Sequence, residues 1–420
     1  MKHHISLIIK KCTVGTLPLG LAGSGTNKFS ALTLENLMIS TVAKYEVGSL
    51  SSLSKNRTAQ LVYESFYCVL ALIALIEEVS MKEMNQTTLR RLISVGLLAI
   101  LIALFTAMVG AGSGKFLNAE NLMAIVRDAS VPGIIGVGVT YVIITSGIDL
   151  STGSMIALVG MVMANVYAYT LLPIPVMILT GILAGLLCGF FNGFIVAKLE
   201  IPEFIGTLAT MSVFRALAYI IAIKDANGVI MSQPMNISQY AFLGGTIGGS
   251  SKGIPYVCVA LVIFVVVGQI VLRYTRFGTN LYAVGANKKA ATLSGINVER
   301  IRMMAFVITG FCTAVGAVFT TARLQSATTA LGTDFEFSPI AAAVVGGVAL
   351  SGGSGDVVGT LIGALFMATL ENGVRKLDMN TAYQYVIKGV IIICVVMFDA
   401  VYKKRMDRIA KEKGAKEGLE

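Results

Sequence analysis

Ser146-Gly147-Ile148-Asp149-Leu150-Ser151-Thr152-Gly153-Ser154 is a polar, glycine-bearing break between two apolar runs, Val137 to Thr145 upstream and Met155 to Val166 downstream. This setting places a single carboxylate, Asp149, at membrane depth. Hydrocarbon offers nothing to unpaired backbone, so non-helical chain survives there only when buried in protein or lining a wet cavity. The stretch therefore predicts an all-α membrane protein with broken helices and a pathway at the break. A second copy follows at an offset of 200 residues: Gly347, Leu350, Ser351, Gly353 and Ser354 repeat Gly147, Leu150, Ser151, Gly153 and Ser154, with Ala349 in place of Asp149. Paired interruptions in two halves of a chain point to a transport site between structural repeats. Coincidence among small residues in a glycine-rich chain is the competing explanation.

Composition agrees with a polytopic membrane protein: 55% of 420 residues are apolar and only 13% charged, with a mean hydropathy of +0.79. The net charge of +10 lacks the basic stripe with interleaved aromatics that nucleic acid requires, and the cations lie between apolar runs as topology signals. The six cysteines, Cys12, Cys68, Cys188, Cys258, Cys312 and Cys394, are too scattered for a disulfide framework or zinc site.

Residues 1–80 differ from the rest: their longest apolar run, Cys68 to Ile76, is too short to span, and they match a signal peptide poorly. They read as a non-native or disordered extension, with translation starting at Met81 or Met84; a cytosolic or regulatory segment is the alternative. Residues 81–402 form the transmembrane domain and 403–420 a basic cytoplasmic tail. Ten crossings are expected: Leu92 to Val109, Ser130 to Thr145, Thr152 to Tyr169, Ile174 to Ala197, Phe204 to Ile223, Pro255 to Leu272, Met303 to Ala322, the short pair Pro339 to Leu350 and Val357 to Leu370, and Tyr383 to Val401. With the start inside, cytoplasmic segments carry 17 Lys and Arg and the opposite side 7. That bias predicts both termini in the cytoplasm.

The largest cytoplasmic segment, Arg273 to Arg302, contains a short amphipathic helix opened by Asn287 as N-cap and closed by Gly295. Its Ala290, Leu293 and Ile296 face needs a covering surface. A cytoplasmic partner is one reading and a solvated surface helix the other.

These residues resemble the membrane permease subunits of bacterial ribose and simple-sugar ABC importers over about Phe116 to Ala400. The landmarks are Thr145 to Ser151, Asn192-Gly193, Val196-Ala197-Lys198, Ile201-Pro202, Thr207-Leu208, Thr275 to Gly278, Gly285 to Ile296, Gly332 with Glu336, and Gly359-Thr360 with Gly363-Ala364. The resemblance implies an inner-membrane permease dimer, homodimeric or heterodimeric, bound to cytosolic ATP-binding subunits and fed by an external or periplasmic sugar-binding protein. It assigns Gly285, Asn287, Ala290, Ala291, Ser294 and Gly295 to a coupling helix in the ATPase groove. Bulky charged residues at Ala290 and Ala291 are then expected to abolish uptake without preventing insertion. The chain has no Gly-x-x-x-x-Gly-Lys-[Ser/Thr] loop, so ATP is used by partner subunits and the chain is neither an enzyme nor a binder of cofactor or metal. Ala216, Ala349 and Gly355-Asp356 depart from the family pattern.

The pathway candidates are Ser146, Asp149, Ser151, Phe191, Asn192, Arg215, Glu336, Ser351 and Ser354. An intramembrane carboxylate is a functional candidate by default, but Asp149 is equally suited to holding the freed N–H groups of its own break. The serine hydroxyls face the pathway or bond back to helix carbonyls. Arg215, deep in a span, needs an anion, carbonyls or water, with Asp149 and Glu336 as candidate partners; Lys388 poses the same question. Phe190, Phe191 and Phe194 offer a gate, a stacking face or lipid contact. The competing function is a stand-alone secondary transporter using Asp149 as an ion site.

Overall fold

The computed structural model describes residues 86–110, 116–170, 173–224, 232–235, 238–247 and 253–377, with scattered positions of 382–397. The readings for residues 1–80, the Tyr383 to Val401 span, Lys388 and the 403–420 tail lie outside the described residues. Eight described helices are long and apolar enough to cross a membrane. They are α1 (Gln86–Gly110), α2 (Ala119–Ile144), α3 (Thr152–Thr170), α4 (Ile174–Gly193), α5 (Glu203–Ile220), α6 (Tyr256–Tyr274), α9 (Val298–Leu324) and α11 (Val357–Lys376). Between α6 and α9 lie two short helices, α7 (Arg276–Ala286) and α8 (Lys288–Leu293), and ahead of α11 lies α10 (Ser338–Val345). The two strands are a two-residue ladder, β1 (Gln233–Pro234) antiparallel to β2 (Ser326–Ala327).

Cross-chain contacts fix the directions. Arg91 at the start of α1 bonds Asp356 at the start of α11, while Asp128 near the start of α2 bonds Arg323 and Arg375 at the ends of α9 and α11. The bundle thus has a proximal end, which carries α7 and α8, and a distal end, which carries the Asp128 cluster. Burial separates inner from outer helices: 67% of the α3 span and 72% of the α11 span is buried, against 22% for α1. The main core joins Ile135, Ile143, Met155, Ile156 and Phe306; a second cluster joins Phe105, Ile125 and Phe366 around α1 and α11. Helices α4 and α9 cross at glycines, where a Cβ on Gly310 would collide with the Gly185 carbonyl and with Gly189. Lipid provides no hydrophobic drive between helices, and small residues allow this backbone-to-backbone approach instead.

Two expectations need correction. The second span starts at Ala119 rather than Ser130: Arg127 and Asp128 lower its hydropathy, but helical hydrogen bonds continue through them. The Pro339 to Leu350 span is the eight-residue α10, about 12 Å long and too short for a hydrocarbon core of about 30 Å. The rest of that passage is non-helical chain, residues 325–337, running inward from the distal end.

Candidate functional site

The break begins where α2 ends. Ser146 adopts a left-handed conformation (φ 66°), and its hydroxyl donates to the Ser351 carbonyl at 2.9 Å. Gly353 N–H donates to the Ile144 carbonyl at 2.9 Å. The two related stretches therefore touch, although they fold differently: Gly153 and Ser154 are inside α3, whereas Gly353 and Ser354 belong to the loop before α11. The contact lies toward the proximal end, because the Ser146 hydroxyl also reaches the Gly285 carbonyl at the end of α7.

Asp149 is fully buried. Its Oδ1 accepts from Ser151 N–H (2.9 Å) and from the Ser151 hydroxyl (2.7 Å). Asn192 Nδ2 donates to Ser151 Oγ at 2.7 Å and lies 3.4 Å from Asp149 Oδ1. The carboxylate thus satisfies the backbone freed by its own break, and α4 locks the arrangement through Asn192. Ser154 Oγ bonds back to the Ser151 carbonyl at 2.9 Å. Asp149, Ser151, Asn192 and Ser154 form one buried polar knot. Phe191 does not join it: the ring is turned outward, 45% exposed, against Phe214. Ser351 is exposed and gives its carbonyl, not its hydroxyl, to Ser146.

Arg215 resolves in favour of Glu336. Its Nη1 donates to the carbonyls of Thr329 and Leu331, each at 2.8 Å, and Nη2 lies 3.2 Å from Glu336 Oε1. This planar guanidinium pins the non-helical crossing before α10. Thr152 Oγ1 adds a bond to the Phe335 carbonyl at 2.8 Å. The approach requires a glycine at 153, because a Cβ there would fall 2.5 Å from the Glu336 carboxyl carbon. Glu336 therefore lies beside the first turn of α3, where the helix dipole favours negative charge.

The short helix forms as its caps dictate. Asn287 Oδ1 accepts from Ala290 N–H at 3.0 Å, and Gly295 takes φ 81°. Gly285 belongs to the preceding α7, packed so closely on the end of α2 that a Cβ would collide with the Ile144 carbonyl. Leu293 is 90% exposed; Ala290 and Ser294 are exposed as well. Ala291 is turned inward and buried, so a charge there tests this chain's own core rather than a partner surface.

Sequence reading missed the connection between this helix and the break. Glu203, at the start of α5, bonds Lys288 of α8 (3.3 Å) and Arg302 of α9. One turn along α5, Thr207 Oγ1 donates to the Ile148 carbonyl at 3.1 Å. An acid directly after Pro202 was the available signal, but its partners lie 85 and 99 residues away. The departures Gly355-Asp356 also have a role: Asp356 caps α11 through Gly359 N–H (2.6 Å) and bonds Arg91 (2.7 Å). Tyr282 donates to the Gly355 carbonyl at 2.6 Å. Burial, and then Asp356, push its phenol up to about 12, so it remains a donor.

Comparison with known proteins places this geometry in a family. The family model described as "Branched-chain amino acid transport system / permease component" matches residues 121–396, about two thirds of the chain. The chain is 37% identical to the ribose import permease protein RbsC of Haemophilus influenzae, over 71% of this chain and 91% of the relative. It is 39% identical to RbsC of Bacillus subtilis, over 68% and 86%. The xylose transport system permease protein XylH of Haemophilus influenzae is 31% identical, over 74% and 96%. No solved structure matches. With eight apolar helices long enough to span and near-full coverage of these relatives, the chain belongs to this family of multi-pass transport permeases and to its simple-sugar ABC importer type.

Proposed function

We propose that this chain translocates a small neutral sugar, ribose or a similar monosaccharide, across the cytoplasmic membrane as the permease subunit of an ATP-driven importer. The observation that carries the reading is the ribose permease similarity along nearly the whole length of those relatives. The family description names amino acids and the individual relatives name sugars, and the relatives are the more specific guide. Cytosolic subunits hydrolyse ATP and grip α8 at the proximal end. A soluble sugar-binding protein delivers cargo at the distal end, and a second permease copy completes the membrane unit. Movement of α8 passes through Lys288 and Glu203 to α5, and through Thr207 to the Ile148 carbonyl beside Asp149. The Arg215–Glu336 strut holds the opposing non-helical crossing against α3. Affinity for sugar in the membrane is weak, since a pathway must release what it admits.

The test is uptake of a panel of labelled sugars by cells expressing the chain with or without its ATP-binding and sugar-binding partners. Uptake of one sugar that requires both partners is expected and names the cargo. Uptake by the chain alone, lost when the proton gradient is dissipated, overturns the reading in favour of a secondary transporter.

A further inference from the structure

The non-helical crossing before α10 leaves side chains uncovered at membrane depth. From Glu203, at the proximal end, α5 rises about 18 Å to Arg215, well inside a hydrocarbon core of about 30 Å. Arg215 bonds both the Leu331 carbonyl and Glu336, so the loop between those two residues is held at that level. Leu331 is buried and Gly332 lies against Gly153, but Thr333 is exposed, Asp334 is partly exposed and Phe337 is 54% exposed. Thr333 Oγ1 donates to the Ala330 carbonyl at 2.6 Å and keeps its lone pairs for a donor. Asp334 adopts φ 71°, a left-handed conformation that aspartate tolerates and glycine adopts freely. The bonds that hold this residue run to its backbone, where the carbonyl accepts from Ser338 N–H at 3.3 Å and from Ser338 Oγ at 3.2 Å. Glycine would serve that backbone, so the carboxylate is an addition to the turn rather than a requirement of it.

Lipid cannot cover such a surface, because irregular backbone and an acidic side chain persist at this depth only inside protein or beside water. A dry contact with a second copy would strip the carboxylate of water and require a charged partner for it. A wet pathway leaves it solvated. The same pathway presents passing cargo with a carboxylate and a hydroxyl oxygen that accept from sugar hydroxyls, beside an aromatic ring that packs against the C–H face of a sugar ring. We propose that Thr333, Asp334 and Phe337 line the cargo pathway and that the Asp334 carboxylate accepts hydrogen bonds from the sugar. The assignment rests on the import of a neutral sugar proposed above and names where that sugar meets the chain.

Two measurements test it. In a full chain with its native cysteines replaced, single cysteines are treated with a charged methanethiosulfonate reagent in opened membrane fragments; the reaction requires a thiolate in contact with water. Thr333→Cys and Phe337→Cys are expected to react, and Val262→Cys, 58% exposed on the apolar α6, to stay unmodified. No reaction at 333 and 337, or equal reaction at 262, overturns the pathway assignment. The second measurement is uptake of the labelled-sugar panel, ribose and xylose included, by cells supplying both partners. Asp334→Gly suits the left-handed backbone and Asp334→Asn keeps the side-chain size. Each is expected to lower the uptake rate about tenfold or more while the melting temperature of the purified chain holds. Undiminished uptake by both variants beside normal uptake by the unmutated chain overturns the Asp334 contact alone, and an equal loss of uptake and melting temperature in both marks a structural role and overturns it as well. Failure of the unmutated chain to import any sugar of the panel overturns the proposed function and the sugar contact together.

Discussion

Asp149 shows how a buried carboxylate can be chemically occupied without binding cargo. Two bonds from Ser151, with Asn192 bracing that serine from α4, explain how an acidic side chain and non-helical backbone are accommodated together at this depth. Asp149→Asn replaces one carboxyl oxygen by a donor and perturbs two buried hydrogen bonds, each worth about 0.5–1.5 kcal/mol. The expected outcome is a lower thermal midpoint in circular dichroism and reduced uptake at normal membrane levels. Undiminished stability and uptake would remove Asp149 from the knot's framework. At Glu203 the partners should rank by exposure. Arg302→Gln leaves the acid without its more buried partner and costs roughly 3–5 kcal/mol. Lys288, 44% exposed, contributes at most about 1 kcal/mol. Denaturant midpoints of the two variants test that order.

At the scale of elements, α8 is an unusual helix, since six residues cannot hold themselves helical in water. Its Asn287 cap, the left-handed Gly295 and buried Ala291 hold it against the bundle while Leu293 remains bare. Leu293→Asp is therefore expected to change stability by less than about 0.5 kcal/mol, while abolishing co-purification of the ATP-binding subunit and uptake. Ala291→Glu is expected to lower the melting temperature of the permease itself. If Leu293→Asp retains both co-purification and uptake, α8 is a solvated surface helix. The short α10 illustrates what hydropathy misses: the apolar run from Pro339 was legible, but the crossing of residues 325–337 is not apolar in pattern. Arg215 supplies donors to carbonyls that a helix would have satisfied internally.

For the whole molecule, the proximal and distal ends can be assigned by labelling. In a background with the native cysteines replaced, Leu293→Cys is expected to resist a membrane-impermeant maleimide in intact cells and to react in inverted vesicles. Arg375→Cys is expected to do the reverse. Labelling of both from the same side would contradict the course of α9 and α11, which run parallel to each other and antiparallel to α2, and the opposite pattern would invert the proposed orientation.

The sequence by itself determined the membrane class, the presence of the eight described spans though not the start of the second, and the caps of α8, because these depend on local hydropathy, helix length and short-range hydrogen bonds. It also marked Asp149 and Arg215 as costly residues needing partners, with Glu336 as one candidate partner for Arg215. Only the tertiary structure decided those partners: Arg215 chose Glu336, 121 residues away, over Asp149, and Phe191 turned outward while its neighbour Asn192 turned in. The Glu203 contacts and the Asp128 cluster likewise depend on helices brought together from distant parts of the chain. A lone charge in a sequence reveals its need for compensation through the cost of burial, but which group compensates it is set by which helices meet and at what depth.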